Sequence, residues 1–378
     1  MNPTNTITVA QIPSILALHS APGCKPALFI SLPGVGKTSS LHKFSADHNY
    51  DLFQLMLPHY SVPDLKGFGI PNRDKGVMEF LPSGELPWCK DGKPYADTHN
   101  GRRPLVFLDE VLGTTGALFN VAQQLIHEKR IGDNILPPDV LIAAAGNDHS
   151  MKCGSSKLTM SLADRFAIYH VRPDFDAVSA WMSNETNGIN QWIYAFLQAM
   201  HSTGGGVLWS LTTDKWNGGE PIDSARSYAA LSKVFAQFDD EFALMNSPVL
   251  GAICTGHIGQ ASGLKLAEFI KLSIQVGNIE EMVANPDTCT LPTTPDLCWG
   301  VAARTVTMAT KDNLDNIFTL VRRLTPKSMR PKGDAPTVFE AFVARAVMKV
   351  RPESIIGSPT WLNWAKKNRK YINPGAAV

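Results

Sequence analysis

The sequence has no C-x-x-C pair among its six cysteines (Cys24, Cys89, Cys153, Cys254, Cys289 and Cys298) and no histidine at zinc-ligand spacing. That pattern argues against a disulfide framework or a zinc module and for reduced thiols, as in a cytoplasmic protein. There is no apolar run of the roughly 18 residues that a membrane span needs. The short apolar stretch from Ile12 to Leu18 has no basic residue ahead of it, the first being Lys25, and Pro13 interrupts it. No secretory signal is therefore expected, and the expected location is the cytoplasm, with no membrane partner. Net charge is also lacking: Lys plus Arg number 35 and Asp plus Glu 34, for +1 at pH 7. Any binding of polyanions must then come from local clusters and not from a global field. Internal repeats and low-complexity tracts are absent too, which excludes solenoids.

The chain has 378 residues, enough for two or three domains. From Ala27 to Val171, short apolar runs alternate with helical patterns, the mark of βαβ units in a parallel sheet. The expected strands are Ala27 to Ser31, Leu52 to Leu57, Leu105 to Leu108, Val140 to Ala144 and Phe166 to Val171. Leu118, Val121, Ala122, Leu125 and Ile126 recur at helical spacing between the third and fourth runs. The stretch from Pro58 to Pro104 is too long for a plain connection and reads as an insert. After Pro173 helical patterns take over, with helices expected over Ala177 to Met200, Ala225 to Phe238 and Ala261 to Val276. A Pro- and Thr-rich stretch, Asn285 to Pro295, reads as a linker. The expected organisation is an α/β core over 1–172 with its insert at about 58–104, a helical domain over 173–284, and a helical C-terminal region over 285–378.

Chemistry concentrates at four places. Ser31-Leu-Pro-Gly34-Val-Gly36-Lys37-Thr38 follows the first strand and fits G-x-x-x-x-G-K-[ST] except at Ser31. In such a loop, glycines let backbone N–H groups curl around phosphate oxygens, the next helix points its positive end at them, Lys37 neutralises β and γ phosphates, and Thr38 ligates Mg²⁺. The phosphate cradle is assigned to Pro33, Gly34, Val35, Gly36, Lys37, Thr38 and Ser39, with ATP as the ligand. A Cβ at Ser31 is the one feature that strains the loop pattern. Asp109 and Glu110 end the third strand, where open α/β sheets bind ligands: Asp109 joins Thr38 around Mg²⁺, and Glu110 polarises water. At the tip of the fourth strand, Asn147 offers an amide to orient that water, or else belongs to an ordinary Gly-Asn turn. Asp164-Arg165 opens the fifth strand, on its own reading as a salt-bridged pair.

The order of these pieces resembles the AAA+ class of P-loop ATPases, and within it the MoxR-like ATPases. The resemblance runs through SLPGVGKT, SVPDLKGFGIP (Ser61 to Pro71), LVFLDE, AAAGN, LADRF and PIDSARSYAALSKVF (Pro221 to Phe235), and weakly into Thr255 to Leu272. It implies an α/β P-loop core with a helical lid, and ATP hydrolysis with Mg²⁺. By the same resemblance Asn147 is the sensor-one residue, Arg165 an arginine finger and Arg226 the sensor-two arginine of the lid; Arg130 and Arg172 compete for the finger on position. It further implies a homo-hexameric ring, a chaperone-like role on a protein partner such as one with a von Willebrand A domain, and an insert facing the ring's substrate side. Gly76 to Pro87 is the candidate hairpin of that insert.

Two basic clusters leave a rival open, a nucleic-acid motor or loader on the same core. One is Arg322, Arg323, Lys327, Arg330 and Lys332; the other is Lys366, Lys367, Arg369 and Lys370 beside Trp361, Trp364 and Tyr371. Aromatics among lysines can build a nucleic-acid surface, though solvated helix faces carry the same composition. Nucleic acid is accordingly an unfavoured partner. A third alternative is a scaffold that binds nucleotide without turnover; Glu110 and Arg165 weigh against it.

Overall fold

The structure is a computed structural model. It describes residues 5–372 except 90, 115, 149–159, 185–186, 203–205, 207, 210–217, 240, 276–277, 326–329 and 332–334. The chain divides into two compact units, 1–174 and 175–378.

The first unit is built as β1 (Thr6–Thr8), α1 (Ile12–His19), β2 (Ala27–Ser31), α2 (Lys37–Asp47), β3 (Tyr50–Met56), α3 (Val62–Lys66), β4 (Phe68–Asn72), β5 (Val77–Leu81), β6 (Arg103–Asp109), α4 (Gly116–Glu128), β7 (Arg130–Ile131), β8 (Asn134–Ile135), β9 (Leu141–Asn147), α5 (Met160–Arg165) and β10 (Ala167–Arg172). Six strands form one sheet in the order β1-β10-β2-β9-β6-β3, with every neighbouring pair parallel. The five strands expected from apolar runs are all present, and their order puts the phosphate-loop strand β2 beside β9 and not beside β3. β2 is buried along its whole length, as expected of a strand covered on both faces. α4 buries Leu118, Ala122, Leu125 and Ile126 against that sheet, at the helical spacing read in the sequence. Each of the leucine and isoleucine side chains among them contributes roughly 1.5–3 kcal/mol by leaving water.

The strand β1 was not anticipated. Thr6, Ile7 and Thr8 pair in register with His170, Val171 and Arg172 and so cover the edge of β10. Three β-branched residues suffice for an edge strand but are too few for an apolar run to reveal.

The insert contains a hairpin, but not where it was expected. It is β4 paired antiparallel with β5, Phe68 opposite Leu81, with Gly76 in its tip; Pro82 to Pro87 lie beyond it. The Ser61–Pro71 motif thus supplies α3 and the hairpin's first strand. A capping box between Ser61 and Asp64 starts α3. Gly67 ends it at φ +87°, in a place where a Cβ would overlap the Leu81 carbonyl oxygen.

The second unit is helical throughout its described residues: α6 (Phe175–Ser183), α7 (Gln191–Ser202), α8 (Ala225–Phe235), α9 (Glu241–Met245), α10 (Leu250–Gln275), α11 (Ile279–Ala284), α12 (Pro295–Thr307), α13 (Leu314–Leu324), α14 (Val338–Val350), α15 (Pro352–Ile355) and α16 (Pro359–Ile372). The single helix expected over Ala177 to Met200 is two, α6 and α7. Gly188, at φ +65°, lies in the break, and Asn187 donates its side chain to the Trp181 carbonyl there at 2.7 Å. One hydrophobic core runs from Val178 to Trp361, so the expected division near 285 does not interrupt it. The fold is a parallel α/β core followed in the chain by a helical region.

Candidate nucleotide site

At the C-terminal edge of the sheet the chain leaves β2 through residues 32–36 and enters α2 at Lys37. Gly34 and Gly36 take φ of +76° and +107°, a left-handed conformation that glycine adopts without steric cost. Ser31 does not disturb this turn. It is the last residue of β2, in register with Asn147 on β9 and Val171 on β10, and its hydroxyl donates to the Leu32 carbonyl at 2.7 Å. Its side chain is 5% exposed, and its hydroxyl accepts a hydrogen bond from Lys37 Nζ at 2.7 Å.

Lys37 is 8% exposed. Its ammonium also donates to the Leu32 carbonyl at 3.4 Å and to Asn147 Oδ1 at 3.3 Å. The register of β2 with β9 causes that second contact, since it carries Asn147 to the same height as Ser31. Gly146 has its own reason to be glycine: the Leu112 side chain fills the space a Cβ would need, which docks the turn after Glu110 onto β9. Ser39 lies on the exposed side of the first turn of α2, and Val35 is buried.

Next to the lysine, Thr38 Oγ1 donates to Asp109 Oδ2 at 3.0 Å. Asp109, 6% exposed, ends β6 and accepts the Glu110 backbone N–H through its other oxygen at 3.0 Å. The two oxygen groups of Thr38 and Asp109, hard donors at adjacent positions, suit Mg²⁺ with phosphate and water completing its shell. Among the described residues no group of three His, Cys, Asp or Glu side chains is placed to hold a metal ion. Glu110 stands at φ +53°, a conformation that costs a non-glycine residue about 1–3 kcal/mol and that collects at functional sites.

Sequence reading missed Gln54. It interrupts the apolar run of β3, and its Nε2 donates to Asp109 Oδ2 at 3.3 Å while its Oε1 pairs with His42 Nε2 at 2.8 Å. A lone amide in an otherwise apolar run was the available signal. Tyr60, in the segment after β3, is hydrogen-bonded to Glu85; burial, then that carboxylate, pushes its phenol up to about 12.

Arg165 is not at this edge. It ends α5, just ahead of β10, and Ala167 is in register with Ala27, the first residue of β2. The five residues of β2, at roughly 3.3 Å each, put about 16 Å between that edge and the phosphate loop. Beside Arg165, Lys25 Nζ lies 3.5 Å from Asp164 Oδ1 and also donates to the Asp164 carbonyl. Of the two competing arginines, Arg130 pairs with Glu128 at 2.8 Å, and Arg172 is exposed at the C-terminal end of β10. Arg226 belongs to the second unit, exposed in the first turn of α8. Its helix is anchored locally: Ser224 caps it by accepting the Ser227 N–H at 3.2 Å, and Asp223, 1% exposed, accepts from Ser262 at 2.8 Å.

No protein-family model matches the chain. No curated protein matches it either. Among solved structures it is similar to a candidate ATPase from Cytophaga hutchinsonii, at 14% identity over 84% of this chain and 77% of that one, with a TM-score of 0.32. A RuvB variant from Thermotoga maritima is similar at 12% identity over 83% and 76%, also at 0.32. Likenesses this loose add nothing to the geometry above.

Among the described residues, parts of the two basic clusters are engaged within the fold. Arg323 turns inward to the carbonyls of Pro286 and Cys289, and Arg322 lies 3.6 Å from Glu340, which is buried. Lys327 and Lys332 lie outside the described residues. On α16, Trp364 stacks on Phe318 and Trp361, so those ring faces are covered. No helix among the described residues is long and apolar enough to cross a membrane.

Proposed function

We propose that this chain is a Mg²⁺-dependent ATPase of the AAA+ class, MoxR-like, that works as a homo-hexameric ring to remodel a protein partner. The observation that carries the reading is the placing of four groups at one sheet edge in two bonded pairs: the Lys37 ammonium with the Asn147 amide at 3.3 Å, and the adjacent Thr38 hydroxyl with the Asp109 carboxylate at 3.0 Å. Phosphoryl transfer to water needs positioning and charge neutralisation more than covalent chemistry.

In this reading the loop from Pro33 to Ser39 wraps the phosphates, and Lys37 neutralises the β and γ oxygens. Thr38 and Asp109 would hold Mg²⁺, which would supply charge neutralisation to the phosphates. Glu110 accepts the proton of the attacking water, and Asn147 orients it. By the family resemblance Arg226, in the first turn of α8, is assigned the sensor-two role. The strand length that separates Arg165 from its own phosphate loop supports its action on a neighbouring subunit's nucleotide.

A protein target is favoured over nucleic acid by two features. The tryptophans beside the C-terminal lysines are stacked on other rings, and the β4–β5 hairpin exposes Phe68, Ile70, Met78 and Leu81. Exposed apolar clusters of this kind mark protein-contacting surfaces. A partner with a von Willebrand A domain is the family's precedent.

Subunit mixing tests the reading. Lys37→Ala and Arg165→Ala proteins should each be inactive, and mixed rings should regain part of the ATPase rate, because some interfaces pair an intact loop with an intact finger. No regain in rings verified as mixed overturns the trans assignment. Undiminished ATP affinity of Lys37→Ala in calorimetry overturns the nucleotide site.

A further inference from the structure

At the root of the β4–β5 hairpin the first unit has a cleft of about 660 Å³, within the size range of ligand pockets. Antiparallel pairing makes it: Phe68 lies opposite Leu81, so the chain entering the hairpin from α3 runs beside the chain leaving it. Met56, Pro63, Phe68, Leu81 and Pro82 give the cleft apolar walls. Phe68 and Leu81 are 69% and 62% exposed, so these walls are open to a partner and not part of the core.

The ionised groups in the same walls carry one sign of charge. Asp64 and Glu85 line the cleft, and among the described residues no lysine or arginine does. The Asp64 carboxylate accepts the Ser61 hydroxyl and N–H, both at 2.6 Å and both through Oδ2. Those bonds, the hydroxyl's first, hold its pKa below the usual carboxylate range, so the group is ionised at neutral pH. Glu85 accepts the Tyr60 phenol through Oε2. Among the described residues, Asp64 Oδ1 and Glu85 Oε1 are then left without a hydrogen bond. The fields of both carboxylates meet on Tyr60, where they add to burial and to the Glu85 bond in raising its phenol, which therefore stays a donor. The nearest lysines are engaged elsewhere: Lys66 Nζ lies 4.7 Å over the Phe80 ring, and Lys75 pairs with Glu79 at 2.9 Å.

This combination selects a class of ligand. Apolar walls beside two open carboxylate oxygens suit a side chain with an aliphatic stem and a cationic head, the chemistry of arginine and lysine. Tyr60 and Phe68 add aromatic rings, whose faces attract cations. A phosphate chain would meet repulsion here, which sets the cleft apart from any nucleotide or nucleic-acid site.

We propose that this cleft receives a basic side chain, arginine or lysine, flanked by apolar residues, from a segment of the protein partner. The proposal rests on the protein-partner reading given above and names the chemistry by which that partner is recognised. The cation would sit between Asp64 and Glu85, and its apolar neighbours would cover Phe68 and Leu81.

Peptides test it on the full chain. Labelled acetyl-Ala-Leu-Arg-Leu-Ala amide should bind in fluorescence anisotropy, and more weakly as salt rises. Its citrulline counterpart, which keeps the shape and loses the charge, should bind about tenfold or more weakly. Glu85→Gln should weaken the arginine peptide by a similar factor and leave ATP affinity unchanged in calorimetry. Glu85→Lys should go further and prefer a peptide with glutamate in place of the arginine. Equal binding of the arginine and citrulline peptides, equal binding by wild type and Glu85→Gln, or no saturable binding of the arginine peptide overturns the proposal. Self-association in sedimentation that Glu85→Gln weakens, with no peptide bound, overturns it too and assigns the cleft to a second copy of this chain. ATP calorimetry separates the two readings. Where ATP affinity depends on Lys37, failure of the peptide refutes the cleft alone; where Lys37→Ala changes nothing and peptide binding still depends on Glu85, the ATPase reading falls and the cleft stands.

Discussion

Replacing Lys129 with glycine should stabilise the first unit even though it deletes a side chain. At φ +52° the lysine backbone sits in the left-handed region, which costs an L-residue about 1–2 kcal/mol. Glycine has no such cost but brings a more flexible unfolded chain, worth about 0.5–1 kcal/mol the other way. The net gain is about 0.5–1 kcal/mol. Nothing large offsets it: the lysine's bond to the Val140 carbonyl is at the 3.5 Å limit, and the 2.7 Å bond from the Leu136 N–H to the Lys129 carbonyl is backbone and survives. For a unit spanning 1–174 the gain corresponds to a rise in Tm of about 1–4 °C. The control is Lys129→Ala, which removes the same charge and keeps the strain. Calorimetric unfolding of the full chain should rank glycine above alanine. Equal or inverted stabilities would refute the idea that strain is stored at this residue.

Three further expectations follow from the geometry. Ser31→Ala removes the closest acceptor of a buried ammonium and should lower the unfolding free energy by about 1.5–3 kcal/mol in urea titrations, whereas an unchanged midpoint would show that the 2.7 Å bond contributes nothing. Glu110→Gln should bind ATP with wild-type affinity in calorimetry and release phosphate about 10²- to 10⁴-fold more slowly, and a wild-type rate would remove Glu110 from the reaction. Gly67→Ala should push the β4–β5 hairpin off the end of α3, read as faster amide exchange over residues 68–81 with ATP binding intact; unchanged protection would mean that the left-handed turn is not what fixes the hairpin.

Much of the candidate nucleotide site was legible in the linear sequence because its chemistry is local. The phosphate loop needs glycines, a lysine and a threonine within eight consecutive residues, and the two carboxylates follow directly on an apolar strand. The alternation of apolar runs and helical periods likewise announced a parallel sheet followed by helices, since burial on both faces leaves an unbroken hydrophobic strand. What needed the tertiary structure was every relation across strands. That Ser31 completes the lysine's bonding instead of hindering the loop depends on the register of β2 with β9. Gln54 reaches Asp109 only because β3 pairs with β6. The hairpin's position was misread because its Gly and Pro residues mark its tip and exit equally well. No spacing in the sequence relates Tyr60, Asp64 and Glu85 as the walls of one cleft. They meet because antiparallel pairing of β4 with β5 brings the chain that enters the hairpin beside the chain that leaves it, and the physical consequence of that register is that two carboxylates share a site with the apolar residues at the hairpin's root.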